Sequence, residues 1–149
     1  MRVYQGSIIN AKRIRKNIIE MCYKTKTASL GSSLSCVEIL ISVYKNITFF
    51  DRFILSKGHA TAGLYAVLEE FGYFGSAGSD ILKTYCKEGS ELSVHVQRWP
   101  ELVDWSTGSL GHGLPVSCGM AKAGRRVVVV LSDGERDDGS KWEAISFGV

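Results

Sequence analysis

The sequence predicts an α/β domain in which a parallel sheet is flanked by helices. Residues 127–131 are five consecutive apolar residues, four of them β-branched, a pattern typical of a strand buried on both faces of a parallel sheet. A second run, Arg52–Leu55, has three consecutive apolar residues after the arginine and predicts a short buried strand. Helical patterns lie before, between and after the two strands, which is the order expected when parallel strands are joined by helices.

The first half of the chain predicts three helices around the first strand. An amphipathic helix is expected from about Ser7 to Lys24, followed by a small-residue loop over 28–34. Ser35 and Glu38 have the spacing of a capping box, which predicts a helix running to about Tyr44. After the first strand, residues 60–71 predict a further helix.

The second half predicts a long functional loop between helices. Ser79 or Asp80 is expected to cap one helix, and the loss of periodicity over 88–107 predicts an ordered loop. Residues 108–123 are expected to form a helix that opens with glycines. Ser140 and Glu143 form another capping-box pattern, which begins the last predicted helix.

The length and composition fit one soluble domain. The chain has 149 residues, 45% of them hydrophobic and 22% charged, with a net charge of +3 that is not concentrated in a long run, so neither a nucleic acid nor a membrane is an expected partner. The pattern of the last helix breaks off early, so we expect residues 1–149 to be the N-terminal part of one domain that continues beyond Val149, with no second domain.

The cysteines point to a reducing compartment. They are widely spaced and contain no Cys-x-x-Cys pair, which disfavours both a disulfide framework and a zinc site. We therefore expect reduced core thiols in a cytoplasmic protein; the four residues are Cys22, Cys36, Cys86 and Cys118.

Polar residues follow each predicted strand. Asp133 and Gly134 come directly after the second strand, where ligands bind in parallel α/β sheets. A capping role for Asp133 at the next helix explains the same residue equally well. His59, His95 and His112 all lie in turns or loops beside glycine or polar residues; each by itself fits a surface histidine, and their shared placement favours a site.

The glycine-rich stretch Gly108–Gly113 can present backbone N–H groups at the start of a helix, which favours anion binding. No Gly-Lys-Ser/Thr follows it, so it is not a P-loop. Together with Asp133 it predicts a diphosphate and a hard divalent cation, because carboxylate oxygens are suitable ligands for such an ion.

Three stretches together resemble the transketolase family, and in particular the N-terminal subunit of split transketolases. They are Asp51–Ala60, Ser106–Leu114 and Ser132–Ala144. The resemblance implies a thiamine diphosphate-binding (PP-type) α/β domain, truncated here, of an enzyme that transfers a two-carbon ketol unit between sugars. It implies a partner, the C-terminal subunit with the pyrimidine-binding domain, without which the chain is expected to be inactive. It further implies a phosphorylated or nucleotide-linked sugar substrate and a homo-oligomer or heterotetramer.

The resemblance also implies roles for individual residues. Asp133 would ligate Mg²⁺ or Ca²⁺, and Gly134 would lie against the cofactor diphosphate. His59 would lie beside the diphosphate and the reactive ring, and His95 would hydrogen-bond substrate hydroxyls. The remaining implied site residues are the cofactor-contacting Gly108, Ser109 and Leu110, and the catalytic Asp138, which stands where the family usually has a glutamate in a carboxylate network.

Some positions depart from the family pattern. Ser29 stands where the family commonly has a histidine that helps to bind substrate and move protons, which serine cannot do near neutral pH. Val94 and Val96 replace the usual neighbours of His95. These departures support an alternative, a non-catalytic interaction or scaffold protein or a truncated gene product. A deoxyxylulose-phosphate synthase or a ketoacid dehydrogenase subunit is a further alternative among thiamine enzymes.

Overall fold

The computed structural model describes residues 8–99 and 102–148. Its elements are helices α1 (Ala11–Thr25), α2 (Leu30–Leu34) and α3 (Val37–Asn46), strand β1 (Arg52–Leu55), helix α4 (Thr61–Glu70), a 3₁₀ segment (Gly75–Thr84), helix α5 (Gly113–Lys122), strand β2 (Val127–Val130), a second 3₁₀ segment (Gly134–Asp137) and helix α6 (Gly139–Gly148). Ser7, the predicted start of the first helix, and the domain ends at 1 and 149 lie outside the described residues.

Strands β1 and β2 form a parallel pair, as predicted. The pairing runs in register from Arg52 opposite Val127 to Leu55 opposite Val130. Both strands lie next to α5, which contacts each of them. Within the described residues the sheet has two strands, and the backbone of β1 is also hydrogen-bonded to Asp104 in the long loop: its carboxylate accepts the N–H of Phe53 at 2.7 Å.

The prediction that β2 is buried on both faces is wrong for most of the strand. Val127, Val128 and Val129 are half-buried and only Val130 is buried, whereas Phe53, Ile54 and Leu55 of β1 are fully buried. The physical reason is that β2 has a hydrogen-bonded neighbour on one side only among the described residues. The apolar run thus indicates a strand suited to the centre of a sheet. The described residues provide a neighbouring strand on one side of it only.

The described chain divides into two compact units. The sheet unit comprises Thr48–Gly58 and the described residues from His95 onward; the helical unit comprises the described residues up to Ile47 together with His59–Val94. In the sheet unit, α5 packs against α6 as well as against the strands. In the helical unit, α1, α2 and α3 all pack around α4, whose residues are buried almost throughout.

The predicted loop over 28–34 is wrong in part, since Leu30–Leu34 is a short helix. This short helix approaches α4 closely. A Cβ at Gly63 of α4 would lie 2.7 Å from the carbonyl oxygen of Ser33. Helix α2 can therefore rest directly on α4, and tertiary packing outweighs the weak helix propensity of serine and glycine.

In neither predicted capping box is the serine the N-cap residue of its helix. At α3 the N-cap residue is Cys36, without a side-chain cap hydrogen bond, and the Ser35 hydroxyl donates instead to the carbonyl of Ser32. Ser140 lies inside α6, which begins at Gly139, and its hydroxyl donates to the carbonyl of Gly111 at 3.1 Å. In both cases a nearby carbonyl competes successfully for the serine hydroxyl.

Two further predictions need correction. The helix expected after Ser79 or Asp80 is a 3₁₀ segment that already begins at Gly75 and is interrupted at Gly78, whose φ is 46°. The expectation of four core thiols is wrong for Cys86, which is exposed, and only half right for Cys118, which is half-buried. Cys86 lies just beyond the end of the 3₁₀ segment, and Cys118 lies within α5; in neither place does local sequence report burial.

A buried carboxylate of the helical unit gives a first prediction about stability. The side chain of Glu70 is 1% exposed and accepts hydrogen bonds from the Asn10 N–H at 2.8 Å and the Arg13 Nε at 2.6 Å. Glu70→Gln is expected to lower the free energy of unfolding by about 1–3 kcal/mol, because a buried charge-assisted hydrogen bond is lost and a polar group is left poorly paired.

Chemical denaturation followed by circular dichroism measures this change. The matched control is Glu38→Gln, because Glu38 pairs with Arg15 at the surface, with 66% of its side chain exposed. Exposed pairs contribute little, so this control is expected to change stability by less than about 1 kcal/mol. Equal effects of the two substitutions would contradict the structural role of Glu70.

Candidate functional site

The turn after β1 fastens the long loop to the sheet unit. Ser56, Lys57 and Gly58 are buried, and the Thr107 hydroxyl donates to the carbonyl of Leu55 at 2.5 Å. A Cβ at Gly58 would lie 2.6 Å from the Thr107 carbonyl oxygen, so only glycine permits this approach. The predicted ordered loop is thus held against the end of β1, on the side where ligands bind in parallel sheets.

The loop leads into an exposed turn, Gly108–Leu110, hereafter the open turn. All three residues are exposed, and their backbone N–H groups donate no hydrogen bond within the described residues. The imidazole of His95 lies against Gly108, where a Cβ would be 3.6 Å from the ring Cδ2. The structure therefore brings two predicted site residues together beside a set of available backbone donors.

The helix predicted to open at Gly108 begins only at Gly113. Gly111 explains the difference, because its φ of +81° belongs to the left-handed region, which breaks a right-handed helix and favours glycine. A Cβ on Gly111 would lie 2.6 Å from the Cγ of Asp138, and one on Gly113 would lie 2.5 Å from the Cβ of Ser56. These two glycines permit close packing, and the open turn lies outside the helix.

Asp133 and Gly134 occupy the loop directly after β2. Both are exposed, and a Cβ on Gly134 would meet nothing within 4 Å. Asp133 stands at the N-terminal end of the second 3₁₀ segment but makes no side-chain cap hydrogen bond. Its carboxylate has no hydrogen bond or ion pair among the described residues. Of the two explanations left open by the sequence, the capping one is therefore wrong.

Asp138 packs against the residue that follows the open turn. Its carboxylate lies against Gly111, and its Oδ1 accepts a hydrogen bond from the Ser140 hydroxyl at 3.4 Å. Because Ser140 also bonds the Gly111 carbonyl, the start of α6 and the glycine turn are joined by a small polar cluster. The predicted catalytic network of Asp138 stays a prediction.

The residue that joins these loops is Glu135, which the sequence reasoning missed. Its side chain is completely buried, with 0% of the residue exposed. One oxygen accepts the Ser56 hydroxyl at 2.5 Å and the Gly111 N–H at 3.0 Å. The other oxygen accepts the Ser132 N–H at 2.6 Å and the Ser132 hydroxyl at 3.1 Å.

A signal for Glu135 was present in the sequence. Ser132 and Glu135 have capping-box spacing, and their reciprocal bonds form, since the Glu135 N–H also donates to the Ser132 hydroxyl at 3.4 Å. Burial raises the pKa of the Glu135 carboxyl, but the hydrogen bonds from Ser56, Ser132 and Gly111 outweigh it and hold the pKa below its usual value. The carboxyl is therefore charged at neutral pH.

The remaining histidines and Ser29 are placed as follows. His59 belongs to the helical unit, is half-buried, and has its Nε2 3.0 Å from the Ser32 hydroxyl. Ser32 is thus a second polar residue that the sequence reasoning did not single out. His112 is exposed in the sheet unit at the N-cap of α5, without a side-chain cap bond. Ser29 occupies the N-cap of α2, also without one.

The residues present fit a magnesium diphosphate group. The backbone donors of the open turn lie near a helix start and have no acceptor among the described residues, which suits anionic oxygens, and Asp133 offers an exposed carboxylate. The described residues contain no cluster of three or more His, Cys, Asp or Glu side chains that could enclose a metal. Mg²⁺ is commonly bound through one or two carboxylates together with phosphate oxygens and water, and the Asp133 carboxylate is a ligand of that type.

This is a domain of the α/β class whose polar loops gather at the carboxyl ends of parallel strands. Residues 8–146 match the family model described as the transketolase, thiamine diphosphate binding domain. The chain belongs to the transketolase family, which confirms the resemblance and the α/β fold class.

Curated relatives support the same assignment. The chain is 35% identical to an apulose-4-phosphate transketolase subunit of Phocaeicola vulgatus, over 94% of this chain and 54% of that protein. It is 34% identical to the 6-deoxy-6-sulfo-D-fructose transketolase subunit SqwG of Clostridium sp., over 92% and 55%. It is 45% identical to the transketolase of Homo sapiens, over 92% of this chain and 24% of that protein.

The chain therefore spans about half the length of the subunit relatives that it matches. Within the described residues, no helix has both the length and the apolar character that crossing a membrane requires.

Proposed function

We propose that this chain is the diphosphate-binding part of a transketolase-like transferase that uses thiamine diphosphate and Mg²⁺ (or Ca²⁺). The observation that carries the proposal is the open turn, whose three exposed backbone N–H groups have no partner in the described residues. Asp133 supplies a carboxylate for the metal. When bound, the cofactor would supply the carbanion chemistry needed to transfer a two-carbon ketol unit between sugars.

The protein residues would bind and orient the reactants. Gly108, Ser109 and Leu110 would donate backbone hydrogen bonds to the diphosphate, and Gly134 leaves room for it. His95, exposed beside Gly108, would hydrogen-bond substrate hydroxyls. His59 would contact the cofactor, and Asp138 would join a carboxylate network.

The partner and substrate are also part of the proposal. Two relatives are named as transketolase subunits, which supports a C-terminal partner subunit carrying the pyrimidine-binding domain, within a homo-oligomer or heterotetramer. The first of these names contains a sugar phosphate, which supports a phosphorylated sugar; a nucleotide-linked sugar is the other candidate. Among the described residues, Cys22, Cys86 and Cys118 are free thiols, as suits the cytoplasm. Residues 1–149 would form one part of a larger domain, inactive without its partner.

Calorimetric titration of thiamine diphosphate into the 149-residue chain tests the proposal directly. In the presence of Mg²⁺ we expect saturable heat, because the open turn and Asp133 are both exposed and their donors and carboxylate have no partner in the part of the chain that the structure describes. The same titration with a chelator in place of Mg²⁺ is expected to show much weaker heat. If circular dichroism shows a folded chain and Mg²⁺ produces no saturable heat, the proposal is wrong.

A further inference from the structure

Glu135 hydrogen-bonds three loops of the sheet unit at once. It contacts the turn after β1 through Ser56, the glycine turn through Gly111, and the loop after β2 through Ser132. A carboxylate has about four acceptor positions, and Glu135 uses all of them, because Ser132 donates both its N–H and its hydroxyl. Glu135 is therefore saturated by the protein and faces no solvent.

The bonds of Glu135 determine which backbone donors remain available. Gly111 is the next residue after the open turn, and its N–H points inward to Glu135. The N–H groups of the three preceding residues point to no acceptor in the described part of the chain. The hydrogen bond from Gly111 to Glu135 thus holds the residue at which the open turn ends.

The Glu135 carboxylate also holds Ser132, the residue before the proposed metal ligand Asp133. The N–H and hydroxyl of Ser132 are both bonded to Glu135, and Asp133 follows directly. Asp133 itself is exposed and, among the described residues, unbonded, so its position depends on the backbone on either side. One buried side chain is therefore hydrogen-bonded both to the residue after the open turn and to the residue before Asp133.

We propose that Glu135 is a positioning residue that preorganises the open turn and Asp133 for a magnesium-bound diphosphate. The inference rests on the proposed function and extends it to a residue that touches neither the metal nor the diphosphate. Preorganisation increases affinity because the loops need not be ordered when the ligand binds. Glutamine cannot replace glutamate here, since its amide NH₂ would face the N–H donors of Gly111 or Ser132 instead of accepting from them.

Electrostatics alone predicts that Glu135→Gln changes the diphosphate affinity in the opposite direction, so the test distinguishes the two explanations. Removing a negative charge close to an anion site would strengthen diphosphate binding, whereas loss of preorganisation weakens it. Thiamine diphosphate with Mg²⁺ is titrated into the wild-type 149-residue chain and into Glu135→Gln. We expect the dissociation constant to rise by at least ~10-fold, as for residues that orient metal ligands from outside the coordination sphere.

Asp137→Asn is the matched control. Asp137 is exposed in the same 3₁₀ segment, so this substitution removes an identical charge without removing a hydrogen bond of the described structure. Its dissociation constant is expected to stay within about 2-fold of the wild-type value. An equal loss of affinity in Asp137→Asn and Glu135→Gln would overturn the positioning role, because charge alone would then explain the effect.

A second readout separates positioning from general destabilisation. In amide NMR spectra of Glu135→Gln, the resonances of Gly111 and Ser132 are expected to move upfield and lose protection from exchange, while those of β1 and β2 keep their positions. If Glu135→Gln does not fold, Ser56→Ala replaces it, since that change removes a single donor and leaves the carboxylate; an affinity loss of ~3-fold or more is then expected.

The outcomes distinguish the two proposals. A folded wild-type chain that binds no magnesium thiamine diphosphate would overturn the proposed function and, with it, the positioning role. A wild-type chain that binds, with a folded Glu135→Gln or Ser56→Ala of equal or higher affinity, would overturn the positioning role alone. Weaker binding together with displaced Gly111 and Ser132 amides would support both.

Discussion

Replacing Asp133 with asparagine is expected to abolish metal-dependent binding of thiamine diphosphate. Asp133 is exposed, makes no cap hydrogen bond, and lies in the loop after β2, where it is the carboxylate proposed to hold Mg²⁺. Asparagine keeps the shape but removes the charge that a hard divalent cation requires. We expect affinity to fall on the order of 100-fold in calorimetry, which corresponds to about 2.7 kcal/mol.

The fold is expected to tolerate this change. An exposed side chain without partners contributes little to stability, so the free energy of unfolding of Asp133→Asn should stay within about 0.5 kcal/mol of the wild-type value. Asp137→Asn again serves as the charge control and is expected to retain metal-dependent binding. If Asp133→Asn binds the magnesium complex as tightly as the wild-type chain, the assignment of Asp133 as the metal ligand is wrong.

Replacing Gly111 with alanine is expected to cause a large loss of stability in the sheet unit. Two costs combine at this position. The φ of +81° costs an L-residue about 1–2 kcal/mol, and the added Cβ would lie 2.6 Å from both the Asp138 Cγ and the Ser140 Oγ, an overlap worth about 1–3 kcal/mol. We expect the free energy of unfolding to fall by roughly 2–5 kcal/mol.

Gly124 offers a control matched in backbone geometry. Its φ is also +81°, but a Cβ there would meet nothing within 4 Å, so Gly124→Ala carries the backbone cost alone, about 1–2 kcal/mol. The difference between the two variants in chemical denaturation measures the crowding at Gly111. If Gly124→Ala is as destabilising as Gly111→Ala, then crowding by Asp138 and Ser140 contributes nothing. The conclusion that Gly111 is tightly packed would then be wrong.

The substitutions at Gly111 and Asp133 both act on the loops that would bind the cofactor. Gly111 is crowded on one side by Asp138 and donates its N–H to Glu135 on the other, so a shift of this residue displaces the open turn. Gly111→Ala is therefore expected to weaken cofactor binding even under conditions where the chain stays folded. Asp133→Asn, by contrast, is expected to weaken binding without loosening the fold.

The regular elements with strong local patterns were predictable from the sequence. Arg52–Leu55 is a strand, the run of valines is its parallel partner, and the helical stripe near the N-terminus is α1. In its described residues, the long loop before Gly108 is also confirmed as non-helical, with one isolated bridge between Trp99 and Val103. These features depend on residues close in sequence, so periodicity and β-branching report them directly.

The capping boxes show where local reasoning fails. Three Ser-x-x-Glu patterns occur at Ser35, Ser132 and Ser140, and the pair of Ser132 and Glu135 makes the reciprocal bonds. The hydroxyls of the other two serines are taken by carbonyls, one nearby in the chain and one 29 residues away. Nothing within the four-residue pattern distinguishes these cases, because the competing acceptors lie outside it.

The sequence by itself determined the fold class, the family and the residue types at the strand ends, because these follow from local patterns and ordered motifs. Tertiary structure alone decided that Glu135 is completely buried and that Asp133 is left unbonded among the described residues, although the two are separated only by Gly134. The physical reason is that burial and hydrogen bonding depend on which distant segments meet. Ser56 and Gly111 lie 79 and 24 residues from Glu135 along the chain, and only the folded sheet unit brings their donors to one carboxylate.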